Sequence, residues 1–469
     1  MTKYLLVAAM PTPNGGLHLG HIAAQFLPLD VFRRYQRDRG NPTAYYCGFD
    51  VFDNAVCVAA RRLGMTPAAA AESFTRQIES DLAFLEIGID RVINYADDEI
   101  QEAARGIIAS LERDFGARLV SVRSRFPFGR DGQPIAGNWL RGGCPRCRRI
   151  IKGYSCDDCG CSLLPGDLLD AEAVSGEPIE WREIDVRFVV LEPRAIRDYL
   201  ATIPDREAAI AAGRLEDPSL RVQWSSVDSW GLTLGGGEIF YNRNFTLVEQ
   251  ILIGELCRGA LDLPRNAFVR GEDVTTIFAY GKDNAGLLLV DIPGLALATP
   301  TLRPYDRQWI SPFYNLAGEK MSTSRGYALW VQELVGRGCS SDAVRLYLCR
   351  RFTKAEDSNL SLDELAQVTA ELAQLRERAA RLASGAAAPG PGTQALDDLE
   401  AALAEEIRIA MDERGPDLRV FAQVLDRWIA AAPTGEAAGA GPRWVRGCCT
   451  LMAPVLPTFC RDFSAPGPR

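Results

Sequence analysis

A parallel α/β architecture is predicted for this chain, interrupted by a cysteine-bearing insertion and closed by a helical bundle. Three observations carry it. Apolar strand-like runs alternate with amphipathic helices near the N-terminus and again near residue 275. The alternation lapses over 118–225, where two CxxC pairs and short β-like runs appear. The last 75 residues are helical in pattern, without strands.

KYLLVAA, residues 3–9, reads as a buried strand, because an unbroken apolar run suits a parallel sheet covered on both faces. A turn follows at PTPNGG, then a helix from about Leu17 to Arg39. Pro28 should kink it, and Gly40 suits its C-terminal end. PTAYYCG, 42–48, is the next strand, and Thr66-Pro67 opens a helix to about residue 86. IEWREIDVRFVVL is a β-like run inside the insertion. Alternation is expected to resume with GEIFYNRNFTLVEQILIGELC, TTIFAYG and the apolar helix around GLLLVDIPGLALA. Residues 363–383 are strongly helical, 385–394 read as a flexible Gly/Pro/Ala linker, and two or three amphipathic helices follow. The expected division is an α/β domain over 1–117 and 226–330, an insertion over 118–225, a small fold over 331–385 and a helical domain over 386–469.

Composition excludes several function classes. The net charge is −9 with a pI near 5.1, which argues against a strongly basic nucleic-acid binder. No apolar run reaches the roughly 18 residues of a membrane span, and the N-terminal apolar stretch is cut short by Pro11. A soluble cytoplasmic protein without a membrane partner is expected. Its thirteen cysteines then read as free thiols or metal ligands. CPRCRRIIKGYSCDDCGC pairs Cys144 and Cys147 with Cys156 and Cys159, a four-thiolate zinc pattern with no open position, so a structural Zn2+ is predicted and Cys161 is spare.

Both histidines of the chain, His18 and His21, fall in PNGGLHLGHI. A strand, a glycine turn and a helix start make an anion site. Gly15, Gly16 and Gly20 admit a ligand to the backbone, and two imidazoles at i and i+3 share one face. An isolated HxxH would read as a surface pair; this context favours hydrogen bonding to charge developing on phosphate. GEKMSTSRG supplies a point charge, Lys320, and the hydroxyls of Ser322 and Ser324, all suited to a polyphosphate.

Together PNGGLHLGH and KMSTS resemble the two signatures of class I aminoacyl-tRNA synthetases, and the methionyl branch matches best. VFRRYQRDRGN, YYCGFD, LGMTP, the cysteine knuckle and FAYGKD follow in that branch's order, over about residues 3–385. The resemblance implies a Rossmann-type catalytic domain split by a zinc-bearing connective insertion, then a stem-contact fold and a shortened helical bundle. It implies that ATP, with Mg2+, and an amino acid form an aminoacyl-adenylate and pyrophosphate. His18, His21, Lys320 and Ser322 would then be catalytic. Pro11, Asn14, Gly15, Gly20, Gly281, Asp283, Met321 and Ser324 would bind ATP. Asp50 would take the substrate ammonium. Met10, Thr12, Arg243, Gln250 and Leu288 would complete the amino-acid pocket.

The sequence departs from the branch at this pocket. Thr12 replaces a tyrosine and Leu288 a histidine. Arg243 and Gln250 fall where the branch has tryptophan and tyrosine, which favours a polar substrate side chain over a thioether; alternatively Arg243 points to solvent and the register shifts by one or two. Thr323 replaces the second loop lysine, leaving Arg325 to share its work, and Phe52 and Asp53 replace a His-Gly pair. The stretch RLASGAAAPGPG lacks, after Ser384, the Asn and Arg of the branch's first anticodon motif, and RWIAAAPTGEAAGAGPRWV replaces its Pro-Trp helix. These changes point away from tRNA and towards a small-molecule acyl acceptor, as in synthetase-like ligases of natural-product pathways that build esters, amides or nitrogen–nitrogen bonds, with a separate metalloenzyme partner. A methionyl-tRNA synthetase that charges tRNA is the alternative. A non-catalytic paralogue is a third reading, opposed by the intact HLGH, Asp50, Asp283 and Lys320.

Overall fold

Five apolar segments pair in parallel at the centre of the protein. Their order across the sheet is Arg307–Ser311, Thr275–Gly281, Tyr4–Ala8, Thr43–Phe49, Arg91–Asn94. Every residue of Tyr4–Ala8 and of Thr43–Phe49 is buried, as helices on both faces require. Register sets Leu6 opposite Ile277 on one side and Tyr45 on the other. In chain order the strands run 5-4-1-2-3, so the winding reverses between the first and fourth. Open α/β sheets bind ligands at the carboxyl ends of such strands. The computed structural model describes residues 1–153, 156, 159, 163–203, 214–215, 220–321, 326–383, 391–433 and 440–463. Ser322, Thr323, Ser324, Arg325, Cys161, residues 385–390 of the expected linker and 434–439 lie outside them.

The helix after the first strand begins at Leu19, with His18 extended as its N-cap, and runs to Asp38. Pro28 does not kink it in the expected way. A π turn over Ile22–Phe26 precedes the proline, and the Leu27 N–H bonds Ile22 O, five residues back. The wide turn places the missing proline donor where the ladder already shifts. The same device recurs at Leu287–Asp291, where the Ile292 N–H bonds Leu287 O one residue before Pro293. Thr66 caps Pro67–Phe84 by accepting from the Ala69 N–H at 3.2 Å.

Leu119–Phe128 and Glu180–Val190 form a long antiparallel pair that carries the insertion. Beyond it, a small sheet of Leu140–Gly143, Ile150–Lys152 and Leu169–Ala173 holds the cysteine knuckle. The return to the parallel sheet comes later than the sequence predicts. Glu238–Phe240 does not resume the parallel sheet but pairs antiparallel with Thr233–Gly235 and Ser225–Ser226. Gly235, Gly236 and Gly237, all at positive φ, turn the chain back between them. The parallel rhythm resumes only through the helix Phe245–Leu256.

Helices Val331–Gly336, Ser341–Arg350 and Leu362–Ala383 follow, then Pro391–Ala410, Arg419–Ala430, Ala440–Met452 and Pro457–Phe463. Residues 391–394, expected within the linker, are already helical. Trp428 and Trp444 are fully buried between these helices, each donating its indole N–H to the other's carbonyl at 3.0 and 2.8 Å. Arg345 ties three parts of the chain together. Its guanidinium, wholly buried, meets Asp30 Oδ2 at 2.7 Å, Leu85 O at 3.0 Å, Pro454 O at 2.6 Å and Val455 O at 2.9 Å. No helix among the described residues is long and apolar enough to cross a membrane.

Candidate active site

A cleft of about 440 Å³ opens at the switch point of the sheet, within the usual size of a small-ligand site. The turn after the first strand forms one wall. The Leu17 N–H donates to Asp81 Oδ2 at 2.8 Å, and the other Asp81 oxygen accepts from Gln332 at 2.7 Å. Backbone bonds from Leu19 N–H to Leu329 O and from Val331 N–H to Leu17 O flank a bridge between His18 and Trp330. The two signatures, some three hundred residues apart in sequence, are therefore fastened side by side. A Cβ on Gly20 would lie 2.9 Å from the His18 ring and 3.2 Å from Met321. That glycine therefore admits a side chain from each signature.

The imidazoles of His18 and His21 stack with centroids 3.7 Å apart and planes 20° from parallel. Burial, then the neighbouring His21 and Lys320, hold His18 down at about 2. Burial holds His21 at about 4, although Asp283 pulls it up. Both rings are neutral at pH 7. The backbone N–H of His18 donates to His21 Nδ1 at 3.4 Å, which leaves Nε2 of the neutral ring to carry the proton. His18 Nδ1 is buried without a partner.

A tight hairpin of Tyr314–Leu316 and Glu319–Lys320 presents Lys320. Ala317 and Gly318 at φ 48° and 83° make its two-residue turn. The Lys320 ammonium lies 3.1 Å from Asp283 Oδ2 and 4.1 Å from the Phe313 ring centre. Lys282 also lies against Phe313, at 4.3 Å, and pairs with Asp357. A Cβ on Gly281 would sit 2.8 Å from Asp283 Oδ1, so glycine there makes room for that carboxylate. Pro11, Asn14, Gly15 and Met321 line the same cleft. Ser322 and Ser324 fall outside the described residues.

At the other end stands Asp50, with Met10, Thr12, Arg243 and Leu288 lining the wall. Asp50 Oδ2 accepts from Asn242 at 3.3 Å, and Oδ1 is buried without a partner. Burial and then Asp53 push the Asp50 carboxyl well up; Asn242 and Arg243 pull it back. Burial also raises Asp53, against the Ala55 N–H and Arg243. Arg243 thus faces two cleft carboxylates. Gln250 does not reach the cleft: wholly buried, it donates to Arg303 O at 2.9 Å. Thr246, one turn earlier on that helix, lines the cleft in its place. Asn242 and Thr246 gave no signal in the sequence beyond their nearness to Arg243.

The cysteine cluster is a separate site. The four sulfurs of Cys144, Cys147, Cys156 and Cys159 lie within 4.8 Å of one another, with pairs at 3.6 and 3.4 Å. Sulfurs at zinc–thiolate distance in a tetrahedron would be about 3.8 Å apart. Burial pushes the Cys144 thiol up, but the amides of Cys147 and Arg146 and the neighbouring thiols hold it at about 7. The donor set fits a structural zinc. The local core is small, built on residues such as Ile135, Leu140, Ile151 and Leu168, and a metal crosslink suits so small a unit.

The family model described as tRNA synthetases class I (M) matches residues 4–380. A methionine–tRNA ligase of Roseiflexus sp. (strain RS-1) is 29% identical over 395 residues, covering 78% of this chain and 66% of that protein. Its counterpart in Thermoplasma acidophilum is 27% identical over 386 residues, covering 77% and 68%. The chain spans about two thirds of the length of these relatives. A solved structure of Mycobacterium tuberculosis methionyl-tRNA synthetase in complex with methionyl-adenylate superposes with a TM-score of 0.72 at 19% identity, over 99% of this chain and 93% of that one. The likeness in fold therefore extends through the C-terminal helices.

Proposed function

The chain belongs to the class I (M) tRNA synthetases, and from that premise we propose that its cleft joins an amino-acid carboxylate to the α-phosphorus of ATP, releasing pyrophosphate. The observation that carries the reading is the convergence on one cleft of the His18–His21 stack, the Lys320–Asp283 pair and the half-satisfied Asp50 carboxyl. Asp50 holds the α-ammonium, and its unpartnered oxygen is the one left to accept it. His21 Nε2–H donates to the charge that builds on the α-phosphate, and His18 supports it by stacking. Lys320 exchanges Asp283 for the departing pyrophosphate, which frees Asp283 for the ribose hydroxyls. Mg2+ would arrive on the triphosphate and neutralise part of its charge. Catalysis here is placement and charge stabilisation, with no covalent bond to the protein. The zinc, held by Cys144, Cys147, Cys156 and Cys159, is structural.

Two acceptors are proposed for the activated acyl group. A tRNA end is favoured by the relatives, which are named methionine–tRNA ligases, and by a fold likeness that includes the C-terminal helices. A small nucleophile of a natural-product pathway, with a separate metalloenzyme partner, is the second reading. Polar Arg243 and Asn242 beside Asp50 support it, as does the burial of the Trp428 and Trp444 indoles, which are unavailable to stack on bases. The test is a screen for amino-acid-dependent exchange of pyrophosphate into ATP, followed by charging of total tRNA with the amino acid so found. Exchange with efficient charging selects tRNA. Exchange without charging selects the small nucleophile. Absence of exchange with every amino acid refutes adenylation.

A further inference from the structure

Behind the cleft lies a carboxyl that the reaction does not use. Glu249, on the helix Phe245–Leu256, is 0% exposed, and neither of its oxygens has a hydrogen-bond partner. The Gly48 amide pulls the carboxyl down but completes no hydrogen bond to it. No ion pair reaches Glu249 among the described residues. Burial above all, and then Asp50, pushes the carboxyl well above its ordinary range. The Tyr95 and Tyr305 hydroxyls, both within its electrostatic reach, are also buried without partners. A fold seldom buries so many unsatisfied polar groups in one place without something to meet them.

Its position links it to the proposed amino-acid site. A Cβ on Gly48 would lie 2.5 Å from Glu249 Oε1 and 3.0 Å from Met10 Sδ, so both side chains converge over that glycine. Met10 lines the cleft. Thr246, three residues before Glu249 and on the same helix face, lines it as well. Asp50, the proposed ammonium ligand, follows Gly48 by two residues. Met10 and Thr246 therefore form cleft wall on the Asp50 side, and Glu249 lies directly behind that wall, against Gly48 and beside Met10. Arg243, by contrast, has the Asp50 and Asp53 carboxylates to answer, which leaves it less able to read an anionic side chain.

We infer that Glu249 sets the amino-acid specificity of this site by hydrogen bonding to a polar group at the end of the substrate's side chain, with the carboxyl accepting from a donor there whether it is charged or carries its own proton. An alkyl chain offers no partner and a thioether only a weak acceptor, so both leave the carboxyl poorly met. A hydroxyl, amide or ammonium meets it. The inference rests on the adenylation reading and on Asp50 as ammonium ligand.

The test is pyrophosphate exchange by the full chain with three sets of amino acids: lysine and ornithine, homoserine and glutamine, methionine and norleucine. The expected result is that one of the first two sets exceeds the third by at least about a hundredfold in kcat/KM, as sites built around a buried hydrogen bond discriminate. The set that wins distinguishes an ammonium from a neutral donor. Glu249→Gln should lower exchange with an ammonium substrate and spare a neutral donor. Glu249→Leu should move preference towards norleucine. Thermal unfolding of each variant reports folding, and the isosteric glutamine variant decides if the leucine variant does not fold. Preference of the wild type for methionine or norleucine, or a ratio unchanged in the folded variants, overturns the inference while adenylation stands. Exchange with no amino acid is a different result and overturns both.

Discussion

Arg345→Met should destabilise the protein by about 3–5 kcal/mol, the usual penalty for leaving one member of a buried ion pair behind. The structure shows where this comes from. Arg345 and Asp30 are both wholly buried and 2.7 Å apart. Methionine fills much of the arginine's volume but cannot donate to the carbonyls of Leu85, Pro454 and Val455, each worth about 1 kcal/mol net. Asp30 keeps the Arg34 guanidinium at 2.8 Å and the Gly88 N–H at 2.9 Å, which limits the loss. Asp30→Asn added to Arg345→Met removes the stranded charge, so the double variant should be more stable than the two single losses sum to. The assay is urea unfolding followed by tryptophan fluorescence and by far-ultraviolet circular dichroism. The midpoint should fall by roughly 1 M. An unchanged midpoint, or strict additivity in the double variant, refutes the view that this pair bolts the C-terminal helices to the sheet.

Three other outcomes are expected. His21→Ala should slow amino-acid-dependent pyrophosphate exchange by about a hundredfold or more, as loss of a transition-state donor does; near-normal exchange contradicts its role. The histidines should make stability fall with acid. Their folded pKa values, about 2 for His18 and about 4 for His21, lie below the ordinary 6.5, so the unfolded chain takes up more protons as pH drops below 6.5. Each contributes up to about 1.4 kcal/mol per pH unit in that window. The raised carboxyls of Asp50, Asp53 and Glu249 act with the opposite sign. The informative quantity is therefore the pH 7 to pH 5 stability loss of wild type minus that of a His18→Gln/His21→Gln variant, which should be positive; zero or a negative value contradicts the neutral, buried pair. Stripping the zinc should loosen the knuckle, read as faster amide exchange around Leu140–Gly143 and Leu169–Ala173, while exchange of pyrophosphate persists. A native protein that contains no metal contradicts the assignment of the four cysteines.

Much of the scaffold was legible where the signal is local. Tyr4–Ala8, Thr43–Phe49 and Thr275–Gly281 are apolar runs because they are central strands buried on both faces. The outer strands were not legible: RVIN is short and half exposed, and RQWIS mixes arginine and glutamine into its run. The four clustered cysteines announce themselves because metal-ligand spacing is a property of adjacent sequence. Pro28 signalled a disturbance but not its form, and the helix around Pro293 was read as unbroken, since a π turn is a choice of hydrogen-bond register that composition does not encode. The cleft depends on residues 18, 50, 243, 283 and 320, which only the fold gathers. Resemblance to a known family, not periodicity, brought most of them forward. It also misplaced Gln250, whose amide is spent on a carbonyl, and passed over Glu249. The signal for Glu249 was present as a charged residue inside the apolar helix FTLVEQILIGEL.

The central claim is that a carboxylate oxygen attacks the α-phosphorus of ATP between the histidine stack and Lys320. An amino acid labelled with 18O in its carboxylate tests this directly. The account predicts that, after the acyl group is transferred, AMP carries one labelled oxygen and the pyrophosphate carries none. Unlabelled AMP, or label in inorganic phosphate, would contradict it.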